Sequence, residues 1–121
     1  FKYILTDKSS GVFNGRAVVR ENSQKIDANQ TNNNLLLSNE ALMNSNPQLE
    51  IYADDVRCTH GSTTGQLSEE ALFYIKSRGL NTIAAKALLI NGFAGEVLNE
   101  IKNDRVGQYC RGLLEIWLER I

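Results

Sequence analysis

The sequence predicts a mixed fold, mainly β with α, whose first half is strand and whose second half is helix. Three observations carry this. From Phe1 to about Gln66 the apolar residues fall in strand-sized bursts that no helical periodicity connects. Polar, Asn-rich stretches separate those bursts. After Gln66, capping residues and apolar stripes at helical spacing take over. The predicted units are therefore residues 1–66 and 67–121.

The bursts of the first unit are Tyr3-Ile4-Leu5, Val12-Phe13, Ala17-Val18-Val19, Leu35-Leu36-Leu37, Leu49-Glu50-Ile51 and Val56-Arg57-Cys58. Composition alone favours an antiparallel sandwich for such a pattern. However, Asn14-Gly15 and Asn91-Gly92 do not sit between matched strands, where the hairpins of a sandwich need them. Val18, Leu36 and Val56 recur at separations of 18 and 20 residues, near the coil length of a solenoid of short parallel strands. Leu35–Leu37 and Val56–Cys58 are then expected in neighbouring parallel strands. Asn32-Asn33-Asn34 reads as a corner, because asparagine tolerates left-handed backbone and bonds its own main chain. Asp54 and Asp55 read as another corner. Adjacent strand residues face opposite ways, so these two carboxyls are not placed to share a proton.

In the second unit, Ser68 is a predicted N-cap with Glu69 and Glu70 in the first turn, and Gly79 after Arg78 is a stop. Thr82 is the expected cap of a second helix with the stripe Ile83, Ala87, Leu88, Ile90, Phe93, Ala94, Val97, Leu98 and Ile101. Asn103 or Asp104 opens a third, with Val106, Tyr109, Cys110, Leu113, Leu114, Trp117 and Ile121 on one face.

Charge excludes little but points away from nucleic acid. Six basic and seven acidic residues precede Leu67 and seven of each follow it, so neither half carries the basic patch that phosphate binding needs. No apolar run approaches the length of about 18–20 residues that spans a membrane. Two cysteines, Cys58 and Cys110, fit a reducing compartment better than a disulfide scaffold. The chain opens at Phe1 directly into a strand-like segment, which suggests a C-terminal fragment of a longer subunit. An uncapped sheet end at Tyr3–Leu5 is then expected to make the fragment self-associate.

No glycine-rich phosphate loop, nucleophile elbow or HExxH motif is present. The one run with chemical content is Asp54 to Gly61. Residues two apart on a strand share a face, so Cys58 and His60, the chain's single histidine, project together. Thiolate beside imidazole is a donor pair that suits iron and zinc, but a closed site wants about four ligands. Any metal held by His60 and Cys58 must be completed by a partner chain. The plainer reading is a half-buried cysteine beside a structural histidine, and Cys110 reads as a core thiol. Phe73 and Tyr74, neighbours on a helix, cannot both point inward. The exposed aromatic beside Arg78 has the composition of an interface hot spot.

These residues resemble a known family. Gly11-Val12-Phe13-Asn14-Gly15, Gln30-Thr31-Asn32, Asn34 to Ser38, Pro47 to Ile51, Asp54 to Gly61, Gly65-Gln66-Leu67, Ala71 to Tyr74 and Ser77-Arg78-Gly79 occur in this order in SufB/SufD-type SUF proteins of iron–sulfur cluster assembly. The resemblance covers about Val12 to Val97. Gly61 after His60, where the SufB branch carries an acid, is similar to the SufD branch. The resemblance implies a right-handed parallel β-helix, then a helical subdomain. It also implies a complex of one SufB-type paralogue, one SufD-type subunit and two SufC-type ATPases. Cys58 and His60 would fall at the SufB junction, where a nascent cluster forms transiently, with no cofactor bound stably by this chain. Leu72, Phe73, Tyr74 and Arg78 would fall in the region that meets SufC. The implied role is a non-enzymatic scaffold, in the bacterial cytoplasm or a plastid stroma. A generic β-solenoid interaction module is the alternative. A polysaccharide-active solenoid enzyme is disfavoured, since Glu50, Asp54 and Asp55 do not supply acid and base on one face.

Overall fold

The computed structural model describes residues 1–121 as two compact units, Phe1–Gln66 and Leu67–Ile121. The first holds five strands: β1 (Lys2–Leu5), β2 (Ser10–Val19), β3 (Asp27–Leu36), β4 (Leu42–Ile51) and β5 (Arg57–Gln66). Successive strands alternate between two sheets, β1-β3-β5 and β2-β4, and every pair is parallel. The antiparallel sandwich that composition favours therefore does not form.

The register corrects the spacing read from the sequence. Tyr3 faces Asn34, Val12 faces Asn44 and Gln30 faces His60, separations of 31, 32 and 30 residues. The 18-residue step from Val18 to Leu36 joins strands of opposite sheets, so it measures half a repeat rather than a whole one. Leu35 and Cys58 do lie in adjacent parallel strands, but at opposite ends: Leu35 faces Gly65 and Cys58 faces Ala28. Val56 stands in the corner before β5.

The corners stack as the strands do. Leu37 N donates to Leu5 O at 2.7 Å, Leu42 N to Ser9 O at 2.9 Å, and Lys25 N to Asp55 O at 2.6 Å. Asp54 and Asp55 lie at a bend, as expected for corner residues. Asp7 and Lys25 take left-handed backbone at φ 52° and 60° in two other corners. Asn32-Asn33-Asn34 is not a corner. All three lie within β3, and Asn32 and Asn34 are buried. Alternation puts them on the face turned to the other sheet, where hydroxyl and amide partners bond them, and that removes the cost of burying amides.

Phe13, Val19, Leu35, Ala41 and Ala53 are the buried apolar residues of this unit. Pro47 is tolerated in β4 because that strand is paired on one side only. Opposite it, Gly15 leaves room for two neighbours: a Cβ there would lie 2.5 Å from Gln30 Nε2 and 2.6 Å from Phe13 Cζ. Gly15→Val is expected to destabilise the strand unit by about 1–3 kcal/mol through overpacking, read as a lowered denaturant midpoint at unchanged slope.

The second unit is helical: α1 (Glu69–Ser77), α2 (Thr82–Leu98) and α3 (Asp104–Leu118). Ser68 caps α1 by accepting from Ala71 N at 3.1 Å. Gly79, at φ +98°, ends that helix in the left-handed region. Asn81, not Thr82, caps α2, because its Oδ1 reaches Ala84 N at 2.9 Å and Thr82 is already helical. Asn103 caps α3. Helix α2 lies against both α1 and α3, with Ala85 and Ile90 buried. Its predicted stripe is only partly covered, since Ile83, Leu88 and Val97 are exposed. On α3, Val106, Tyr109 and Leu113 are exposed, whereas Cys110, Leu114 and Trp117 are half-buried. Cys110, expected as a core thiol, is thus only half covered. No helix is long and apolar enough to cross a membrane.

Candidate functional site

The alternation of β5 sets out its chemistry. Even-numbered residues of β3 and β5 face the β2-β4 sheet: Ser62 Oγ bonds Ser45 Oγ at 2.7 Å, and Ser45 Oγ donates to Asn32 Oδ1 at 2.6 Å. Cys58, His60, Ser62 and Thr64 therefore form one inward row on the last strand. This row is open. β5 is an edge strand, no further strand covers it, and His60 is exposed while Cys58 is half-buried. Strand geometry thus places Cys58 and His60 on one face, two residues apart.

The two ends of that row differ. Toward Thr64 the side chains are tied down. Asn32 and Asn34 exchange amide hydrogen bonds at 3.0 and 2.9 Å, Ser62 donates to Asn32 Oδ1 at 3.3 Å, and Asn34 Nδ2 reaches Thr63 O and Thr64 Oγ1 at 3.0 and 3.2 Å. Toward Cys58 the row is unconstrained. His60 makes no hydrogen bond or ion pair within the chain, and the Cys58 thiol is free. A neutral imidazole offers one nitrogen lone pair, and nothing within the chain engages the ring here. No three His, Cys, Asp or Glu side chains converge to hold a metal ion. Iron or sulfide carried here would need donors from another chain beside His60 and Cys58.

Helix α1 carries the other candidate residues. Leu72 is buried, while Phe73 and Tyr74 are 77% and 58% exposed. The single exposed aromatic expected from their adjacency is in fact two. Arg78 stacks over the Tyr74 ring, with its Cζ 5.0 Å from the centroid, and donates to the Tyr74 hydroxyl at 2.8 Å. Spacing of four residues brings these side chains together on the helix. The result is an aromatic–guanidinium surface beside the Phe73 ring, with Leu72 buried.

The asparagine ladder of β3 was legible in the sequence only as a polar run. Its signal was alternation: Gln30, Asn32 and Asn34 are spaced by two, the period of one strand face.

Residues 1–93 match the SUF system FeS cluster assembly, SufBD core domain. The chain is 43% identical over 107 residues to the iron–sulfur cluster assembly protein SufD of Escherichia coli (strain K12), covering 88% of this chain and 25% of that protein. It is 45% identical over 100 residues to an iron–sulfur cluster assembly SufBD family protein of Synechocystis sp. (strain PCC 6803), covering 83% of this chain and 22% of that one. Against the SufD of Bacillus subtilis (strain 168) it is 32% identical over 112 residues, covering 93% and 26%. The chain spans about a quarter of the length of these curated relatives.

Proposed function

The chain belongs to the SufBD core family of the SUF system, on its SufD side, and from that premise we propose that it is part of a non-enzymatic scaffold for iron–sulfur cluster assembly. The observation that carries the reading is the open inward row of β5, where His60 has no partner within the chain and shares a face with Cys58. A scaffold at which a cluster is built needs donor atoms that are positioned but uncommitted, next to an edge where a second chain can dock. The occupant proposed for that edge is a SufB-type paralogue. The cluster is cargo, completed by donors from that partner, and leaves the chain without a resident cofactor. Alternation of parallel strands between two sheets with a repeat of 30–32 residues supports the right-handed parallel β-helix that the resemblance implies. The Phe73, Tyr74 and Arg78 surface of α1, with the neighbouring Leu72, is proposed to meet a SufC-type ATPase, whose ATP hydrolysis would shift the scaffold. Bacterial cytoplasm or plastid stroma, both reducing, is the proposed setting for two free thiols.

The test is His60→Ala in the complete protein, assembled with its SUF partners. Melting should shift by less than about 1 kcal/mol equivalent, because the side chain is exposed and unbonded, while iron and sulfide retained on the complex should fall by about tenfold or more. A variant complex that keeps its full iron–sulfur content would refute the assembly role. Failure of the complete protein to capture a SufC-type ATPase would favour the interaction-module alternative.

A further inference from the structure

Strands β3 and β5 face each other over ten in-register pairs. Where both members of a pair carry polar or charged side chains, they engage each other in every case but one. Arg57 lies 3.9 Å from Asp27. Thr59 donates to Asn29 Oδ1 at 3.2 Å, Ser62 to Asn32 Oδ1 at 3.3 Å and Thr63 to Asn33 Oδ1 at 2.9 Å. Asn34 Nδ2 donates to Thr64 Oγ1 at 3.2 Å. In three of these rungs a side chain of β5 is the donor and an amide oxygen of β3 the acceptor.

Gln30 and His60 are the remaining pair of this kind, and they make no such bond. Gln30 Oε1 is buried and has no donor, while the amide nitrogen at the same end of the side chain lies against Gly15 between the sheets. A buried amide oxygen is ordinarily paired, because leaving it dry forfeits its hydration without return. The side chain in register with it on β5 is His60, exposed and without a bond of its own.

We infer that Gln30 positions His60: its Oε1 accepts one imidazole N–H, completing the rung and leaving the second ring nitrogen directed at the open edge. A neutral imidazole has one donor and one acceptor nitrogen. Committing the donor to Gln30 fixes the tautomer, so the lone pair is always on the nitrogen that faces the site. This is how carbonyl and amide oxygens orient ligating histidines elsewhere. Gln30 thus acts through His60 and touches no cargo itself. The inference rests on the reading of His60 as an assembly-site group, but the contact can be tested without it.

The experiment is imidazole nitrogen NMR on the complete protein labelled with 15N-histidine, with the His60 signals assigned by their loss in His60→Ala. The wild type should show one dominant tautomer. Gln30→Met, similar in length and without the acceptor, should shift the signals toward a mixture of tautomers, and Gln30→Glu, which keeps an acceptor oxygen, should restore a single one. In the assembled complex Gln30→Met should lower retained iron and sulfide by about tenfold, with Gln30→Glu closer to wild type. A tautomer mixture in the wild type overturns the inference without any variant. So do His60 spectra that Gln30→Met leaves unchanged, with folding verified by the melting temperature. The spectrum decides the Gln30 contact and the His60→Ala complex decides the assembly role, so either can fail alone.

Discussion

Asn32→Ala is expected to lower the stability of the strand unit by about 2–4 kcal/mol. Asn32 is fully buried, and its Oδ1 takes hydrogen bonds from Asn34, Ser45 and Ser62 while its Nδ2 serves Asn34 Oδ1. The substitution strands Asn34 Oδ1 without its donor and leaves the half-buried Ser45 hydroxyl short of its acceptor, while Ser62 keeps Ser45 Oγ at 2.7 Å. Each buried group left unpaired costs about 1–3 kcal/mol, and the vacated volume adds a cavity cost. Network effects make the residues interdependent. Asn34→Ala should therefore be similarly harmful, and the double variant should cost less than the sum of the two, with a coupling of about 1 kcal/mol or more. Hydrogen exchange of the β3 and β5 amides reads the local loss, and chemical denaturation reads the global one. Two single variants that each cost under about 0.5 kcal/mol and add independently would show that the ladder contributes little.

The second large effect concerns association. Phe73→Ser in the complete protein is expected to weaken binding to a SufC-type ATPase by about 30-fold, equivalent to about 2 kcal/mol, with the melting temperature unchanged. The ring is 77% exposed, so its removal opens no cavity within the chain. Arg78→Ala should weaken binding as well, since it releases the Tyr74 ring and hydroxyl from the guanidinium that holds them. Leu72→Ala separates the two effects. That side chain is buried, so its truncation should cost about 2–5 kcal/mol in stability of the helical unit. Titration calorimetry with purified ATPase gives the affinities. Unchanged affinity in both Phe73→Ser and Arg78→Ala would remove α1 from the interface.

Four features of the molecule were determined by the sequence itself. The switch from strand to helix at Gln66 and Leu67 is visible because side-chain periodicity and caps are local properties of the chain. Ser68 could be identified as a cap, and the cap of the third helix narrowed to Asn103 or Asp104, because a short acceptor before an acidic or apolar turn needs no distant partner. Asp54-Asp55 as a corner follows from the same local logic. Cys58 and His60 share a face because strand geometry alone dictates a period of two.

Tertiary structure decided the rest. Apolar bursts 18 residues apart say nothing about which strands pair, since pairing joins residues 30–32 apart and is set by how both sheets close over one core. Asn32 and Asn34 have the composition of a turn, and only the hydroxyls of Ser45, Ser62 and Thr64, brought in from two other strands, make them interior residues. Phe73 and Tyr74 are both exposed because Leu72 alone takes the buried position on that side of α1. Gln30 stands opposite His60 only through strand register, a relation between two strands that neither segment encodes alone. The physical reason is common to all four: hydrogen-bond satisfaction and burial belong to pairs of groups, and the partner of each residue here lies beyond the reach of its local sequence.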